Sequence, residues 1–423
     1  MGPWVAALVA AALATGCNYG AGTFHCTMDT QCGAGGACEV DGLCSQPSGT
    51  CPSGRAYSDL SGAQSGQCVG GTPPVDSGAI DAATSPSDAS TIDALAIDAP
   101  TPSLDATACF GAGLVRVCLV TPPTQPLTIS ARTVINTDDT SATSSCAPLI
   151  SGGDYCVVAA TTVMINADLH ATGARPLVVL ASDTLTISGS LDVGSHRAPP
   201  AGLPEIGAGA NPSSCGTGTA PGASGGGAGG SFAGQGGAGG NPNTGAPAAS
   251  VGAVTELRGG CAGQDGNGAN HGARGNGGGA VFLIAGTALT VSGSINAAGE
   301  GGAEGTSNSS GGGGGGSGGM IGFDAPVISA SGLILANGGA GGEGSGTNQS
   351  GRVGADPTGI AAARGGNGGS GNGGDGGNGS AGAANGAGAN GANGTTSGGG
   401  GGGGAGLIKA TALGGQVSPG VTP

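Results

Sequence analysis

The stretch Leu177-Val178-Val179-Leu180-Ala181 is followed by Thr184-Leu185-Thr186-Ile187-Ser188-Gly189-Ser190-Leu191-Asp192-Val193. In its second half Leu185, Ile187, Leu191 and Val193 alternate with Thr184, Thr186, Ser190 and Asp192, a period of two that puts one row inside and the other outside. Gly189 stands where the inner row would continue, which marks a bend or a close backbone approach. The same columns hold Val163, Ile165, Ala167, Leu169 and Ala171 one repeat of 22 residues earlier. They recur as Leu289, Val291, Gly293, Ile295 and Ala297, and again as Ile328, Ala330, Gly332, Ile334 and Ala336. Each set is preceded by an apolar run: Val157-Val158-Ala159, Val281-Phe282-Leu283-Ile284-Ala285 or Met320-Ile321. Leu127-Thr128-Ile129 to Val134-Ile135-Asn136 reads as an earlier, imperfect copy and Leu407-Ile408-Lys409-Ala410 as a truncated last one. A repeat of this length is about one coil of a parallel β-solenoid, in which stacked coils bury a ladder of matching side chains. A sandwich of antiparallel hairpins would show the same alternation.

The expected fold class is therefore all-β, a parallel β-helix or solenoid over residues 108–423 with long glycine-rich inserts at 196–278, 300–319 and 339–405. All three inserts leave the coil at the same column and should emerge on one side. This strand pattern resembles pectin-lyase-like right-handed β-helices and the glycine-rich surface proteins built on them. Composition agrees: of 423 residues 101 are Gly and 24 Pro, which excludes an ordinary helical protein. With five Phe, three Tyr and one Trp, any core consists of thin layers of Ala, Val, Ile and Leu. Within the third insert Gly recurs every three residues at 365, 368, 371, 374 and 377. That period suits extended chains packed side by side as a polyglycine bundle. The entropy lost when glycine is ordered leans instead toward a mobile low-complexity loop.

The N-terminal part reads as export machinery. Val5 to Ala14 is apolar and too short to cross a ~30 Å hydrocarbon layer, so residues 1–16 read as a signal peptide. Leu13-Ala14-Thr15-Gly16-Cys17 resembles the lipobox of bacterial lipoproteins, which implies diacylglycerol on Cys17 and a short tether over 17–25. The alternative is an ordinary cleaved signal with Cys17 as a spare thiol. Thirteen Cys is an odd number, and setting Cys17 aside leaves twelve that can all pair.

Cys26, Cys32, Cys38 and Cys44 recur every six residues, followed by Cys51 and Cys68, in a segment over 26–69 with too little apolar content to fold by burial. In an exported chain these read as three disulfides of open connectivity. Zinc is disfavoured because no C-x₂-C pair occurs and His25 is the one nearby imidazole. Cys109 with Cys118 and Cys146 with Cys156 would form local bridges, and Cys215 with Cys261 would pin the first insert. The six-residue cysteine period, with Cys51-Pro52-Ser53-Gly54-Arg55-Ala56-Tyr57 and Gly66-Gln67-Cys68-Val69, resembles a module near the N-terminus of predicted myxobacterial surface lipoproteins. The resemblance implies a cell-surface or outer-membrane address and no chemistry. Residues 70–107, rich in Asp, Ala, Pro and Ser, read as a disordered linker of roughly 35 Å.

Ten Lys+Arg against 25 Asp+Glu give a net charge of −15, which excludes nucleic acid and anionic lipid surfaces as partners. The membrane is met through the lipid, and extracellular polysaccharide or matrix is the partner that a passive face would contact. Catalytic β-helices hold acidic or basic residues on adjacent coils, and the alignment puts His170, Asp192 and Asn296 in one outward column, with His196 and Glu300 in another. These are the only candidate catalytic residues. Solvated outward polar residues are the commoner explanation of such a column. The G-x-S-x-G strings around Ser224 and Ser317 lie inside glycine runs with no following helix. No cofactor motif, metal site or RTX repeat is legible. The expectation is a structural or adhesive surface protein without catalytic activity, with a polysaccharide lyase, hydrolase or glycan-binding β-helix as the alternative.

Overall fold

The computed structural model describes residues 26–69, apart from 27, 33–34, 40–41, 49–50, 52, 59–60 and 62–66, and residues 108–412, apart from 142–143, 198–205, 242 and 382–385. The expected signal peptide, lipidated Cys17, tether and linker fall on residues 1–25 and 70–107, outside the described residues. Contacts divide the chain into two units, Met1–Ile97 and Asp98–Pro423.

In the first unit a 3-10 turn at Asp29–Cys32 precedes an antiparallel sheet of β1 (Ala37–Cys38), β2 (Cys44–Pro47) and β3 (Arg55–Tyr57). Its core is sulfur: Cys26, Cys32 and Cys44 are buried together, with Cys38 against them. The bonds are Cys26–Cys38, Cys32–Cys44 and Cys51–Cys68. Alternate cysteines of the six-residue period thus pair across 12 residues each, and Cys51–Cys68 closes a loop of 17. Such closures restrict the unfolded chain by roughly 3 kcal/mol each.

In the second unit the alternating runs form strands in three parallel five-stranded sheets. The first contains β6 (Leu127–Ile129), β10 (Val163–Ile165), β13 (Thr184–Ile187), β16 (Ala288–Val291) and β19 (Val327–Ala330). The second contains β7 (Thr133–Asn136), β11 (Asp168–Thr172), β14 (Ser190–Asp192), β17 (Ser294–Asn296) and β20 (Leu333–Leu335). The third contains β9 (Cys156–Ala160), β12 (Leu177–Ala181), β15 (Ala280–Ala285), β18 (Met320–Ala325) and β21 (Leu407–Ala412). The chain visits the sheets in turn, and each circuit adds one strand to each. Every pairing is parallel, so antiparallel hairpins do not explain the alternation here.

The register follows the sequence columns. Leu185 lies between Val163 and Leu289, Ile187 between Ile165 and Val291, and Leu191 between Leu169 and Ile295. These side chains share one continuous core with the inner residues of the third sheet, such as Val179, Leu283 and Phe323. At the corner between the first two sheets the glycine column lets successive backbones touch. A Cβ on Gly293 would stand 1.9 Å from the Gly189 carbonyl oxygen, and one on Gly332 would stand 2.1 Å from that of Gly293.

The third sheet is apolar on both faces through β9, β12 and β15, as a continuous run such as Leu177–Ala181 requires, while β18 and β21 add Asp324 and Lys409 to its outer face. Its outer residues Val178, Leu180, Phe282 and Ile284 form a second core with Val115, Val117 and Leu119 and with Phe232 and Leu257 of the first insert. The first three of these come from or adjoin a small antiparallel sheet of β4 (Ala108–Phe110), β5 (Val117–Leu119) and β8 (Leu149–Ser151). Cys109–Cys118 joins paired residues of β4 and β5, and Cys146–Cys156 ties the segment before β8 to the start of β9.

The three inserts leave after β14, β17 and β20 and return to β15, β18 and β21, so all cross the same gap between the second and third sheets. Their glycine runs are not mobile loops, as the entropy argument favoured. They are ordered against one another by backbone hydrogen bonds of period three. Along 311–319, Gly311, Gly314 and Ser317 donate to Asn267, Gln264 and Cys261. Gly312, Gly315 and Gly318 donate to Gly398, Gly401 and Gly404, while Gly313, Gly316 and Gly319 donate to Ala303, Glu300 and Ala297. The carbonyls of the same segment accept from three further neighbours through Gly275, Gly230 and Gly339, among others. One extended chain thereby bonds to six others.

Such packing leaves no room for a side chain. A Cβ on Gly314 would lie 2.0 Å from the Ala228 carbonyl oxygen, and one on Gly400 would lie 1.9 Å from that of Gly313. None of the glycines at 225–240, 299–319 or 398–406 has positive φ, so space and not backbone conformation demands glycine there. The bonded network repays an ordering cost of ~1–2 kcal/mol per residue that a lone glycine loop would not recover.

Candidate functional site

On the outer face of the second sheet, strand spacing of ~4.8 Å brings cross-strand neighbours within reach of one another. His170 on β11 is in register with Asp192 on β14, and Asp192 with Asn296 on β17. The column predicted from sequence therefore exists, and its centre is Asp192. Oδ1 of Asp192 accepts the Gly194 N–H at 2.8 Å and Asn296 Nδ2 at 3.1 Å. Oδ2 lies 3.1 Å from His196 Nε2 and 3.8 Å from His170 Nδ1. The Asp192 and His170 side chains are only 13% and 11% exposed.

The two imidazoles are pushed in opposite directions. Burial lowers the pKa of His170, against the pull of Asp192 and Asp168. The hydrogen bond that His196 donates to Asp192 raises its own pKa, against burial. His170 therefore favours the neutral ring, and its 3.8 Å approach to Asp192 is a contact more than an ion pair.

His196 and Glu300 do not form a separate outward column. His196 folds back on Asp192, four residues earlier. Glu300 is buried, with Arg197 Nη2 at 2.7 Å and both the backbone N–H and Nδ2 of Asn276 donating to Oε2 at 2.9 and 2.5 Å. Burial raises its pKa, while Asn276 and Arg197 oppose the rise. Asp356 accepts the Arg197 N–H at 2.9 Å and the Gly301 N–H at 2.7 Å. These residues tie the three inserts together where the first one leaves β14. Sequence spacing could not reveal this, because Asp356 comes from the third insert.

Two open cavities lie elsewhere. One of about 540 Å³ sits in the first insert, lined by Asn211, Cys215, Ser231, Gln264, Asp265 and Arg274 among others. The other, about 530 Å³, is lined by Asp139, Ser144, Cys146, Tyr155 and Arg175 among others. Neither includes His170, Asp192 or Asn296.

Ser317 Oγ bonds the backbone of Cys261, accepting its N–H at 2.8 Å, and the Ser224 carbonyl accepts the Gly398 N–H, so both residues belong to the glycine bundle. The sulfurs of Cys26, Cys32 and Cys44 lie within 4.8 Å of one another, but each is engaged in an S–S bond. Among the described residues no helix is long and apolar enough to cross a membrane. Comparison with protein-family models, curated proteins and solved structures finds no match to this chain.

Proposed function

We propose that the chain is an exported, lipid-anchored surface protein whose three parallel sheets close into a β-solenoid of the pectin-lyase-like kind and whose glycine bundle braces it as a passive, load-tolerant body. Its role is structural or adhesive, in contact with extracellular polysaccharide or matrix at the outer membrane or cell surface, as for the myxobacterial surface lipoproteins that the cysteine module resembles. One observation carries this reading: among the described residues every buried side-chain nitrogen and oxygen has a hydrogen-bond partner. Side chains spent on one another in this way hold a shape. Six disulfides agree with an oxidising compartment.

A glycan-active protein is the second reading. The opposed shifts of His170 and His196 around Asp192 favour it, since acid and base partners are commonly driven apart in this way. A single set of experiments separates the two. Metabolic labelling with palmitate should mark the membrane fraction, and Cys17→Ser should abolish the label. The mature protein should retain polysaccharides on a glycan array without releasing product. Reproducible product formation that disappears in Asp192→Asn would establish the enzyme instead.

A further inference from the structure

Arg258 is 6% exposed, yet no ion pair joins it to a carboxylate among the described residues. Glu256 acts on it only through its field. The guanidinium lies 5.1 Å above the Phe232 ring, and its bonds to the carbonyls of Gly259 and Ser214 are long, at 3.3 and 3.5 Å. Its closest contacts are sulfurs: Nη2 stands 3.1 Å from Cys261 Sγ and 3.3 Å from Cys215 Sγ, the two halves of one disulfide. A disulfide sulfur is a weak acceptor, so a buried cation is aimed at atoms that hardly satisfy it. The same sulfur as a thiolate would be a full anion and a strong partner.

The two sulfurs also differ in access. Cys215 is half-buried and lines the open 540 Å³ groove, whereas Cys261 is 3% exposed. The same groove is lined by Arg274 and Asp265, an exposed pair with guanidinium and carboxylate 4.0 Å apart. That pair matches the carboxylate and ammonium of an amino-acid thiol, and the groove is wide enough to admit one.

We propose that Cys215–Cys261 is a thiol-exchange site, at which a small zwitterionic thiol is captured on Cys215 while Arg258 holds the departing Cys261 thiolate. The incoming thiolate attacks Cys215 Sγ, and a new S–S bond joins the two. The Cys215–Cys261 bond breaks, and its electron pair leaves on Cys261 Sγ beside Nη2 of Arg258. No outside oxidant or reductant enters, because one thiolate is consumed and one released. Cys146–Cys156 provides an internal contrast. Arg175 Nη2 reaches Cys146 Sγ at only 3.8 Å, and this arginine is also bound to the Thr137 carbonyl at 2.6 Å and to Asp154 at 4.0 Å.

The test is to incubate the full chain with excess cysteine, quench with acid, alkylate and map the disulfides by mass spectrometry over time. Mixed disulfide on Cys215 with free Cys261 should appear before any other bond opens. Arg258→Met should slow this opening by about tenfold, and Arg258→Lys by less. A merely structural arginine predicts the reverse, since losing it would loosen the loop and speed the opening. In the opened wild-type protein, the alkylation rate against pH should place the Cys261 thiol below the ordinary ~8.5. The proposal fails if another disulfide opens first, if Arg258→Met opens as fast as or faster than wild type, or if Cys261 titrates at or above the ordinary value.

Discussion

The strand stack and the glycine bundle solve the same problem with opposite means. In the stack, backbones bond within sheets in two directions and the space between sheets is filled by side chains such as Leu185, Ile187 and Leu289. In the bundle there is nothing between backbones, and each chain turns its amides through three directions every three residues. Period two with bulk and period three without it are two ways to leave no buried polar group unpaired. Glycine content follows the surroundings. Segments 311–316 and 398–404 are unbroken glycine and sit at the centre, while the segment 260–266, with fewer neighbours, keeps glycine only at 260, 263 and 266, where it faces other chains.

The comparison can be broken at its centre. Gly314→Ala puts a methyl 2.0 Å from a backbone oxygen that no side-chain rotation can move, and should cost about 4 kcal/mol or more in urea denaturation. Hydrogen exchange should rise across all three inserts in this variant while the amides of the three sheets stay protected. Leu185→Ala removes a fully buried side chain from the stack and should cost about 3 kcal/mol. Its exchange should rise in the strands and the bundle together, because the bundle is anchored on them. Protection of the bundle that outlasts that of the strands would show it to be self-supporting.

A smaller effect is expected at Asp192. The raised pKa of His196 means that its contribution to stability is complete below the ordinary imidazole value of 6.5 and fades as pH rises through the folded-state value. His170 behaves oppositely, contributing above 6.5 and losing that contribution as pH falls. Asp192→Asn should bring both pKa values down in an NMR titration and cost about 1 kcal/mol near pH 6. Unchanged titration of His196 would show that another group sets its pKa. The smallest change is expected for Gly252→Ala, where an added Cβ meets nothing within 4 Å. Stability should change by about 1 kcal/mol at most in urea denaturation, in the stabilising direction.

Strand positions and register were legible because each column repeats the same residue type, and a slip of one residue would turn every apolar side chain outward. The outward trio His170, Asp192 and Asn296 was legible for the same reason. The packing of the inserts was not, since glycine carries no side chain to reveal its partners and a period of three serves a loop as well as a bundle. His196 was misplaced because it lies past the strand end, where the chain leaves the column. Arg258 gave no signal, as its partners Phe232, Cys215 and Cys261 converge from scattered points of one insert.

From the residues alone came the sheet-forming runs, their stacking order, the shared exit of the inserts and the even set of cysteines, all consequences of local pattern and chain continuity. Tertiary structure decided which cysteines pair in the first unit, how the glycine runs bond and which charges are buried. Those outcomes depend on segments far apart in the chain arriving at one place, and contacts of that kind leave no periodic trace in the order of the residues.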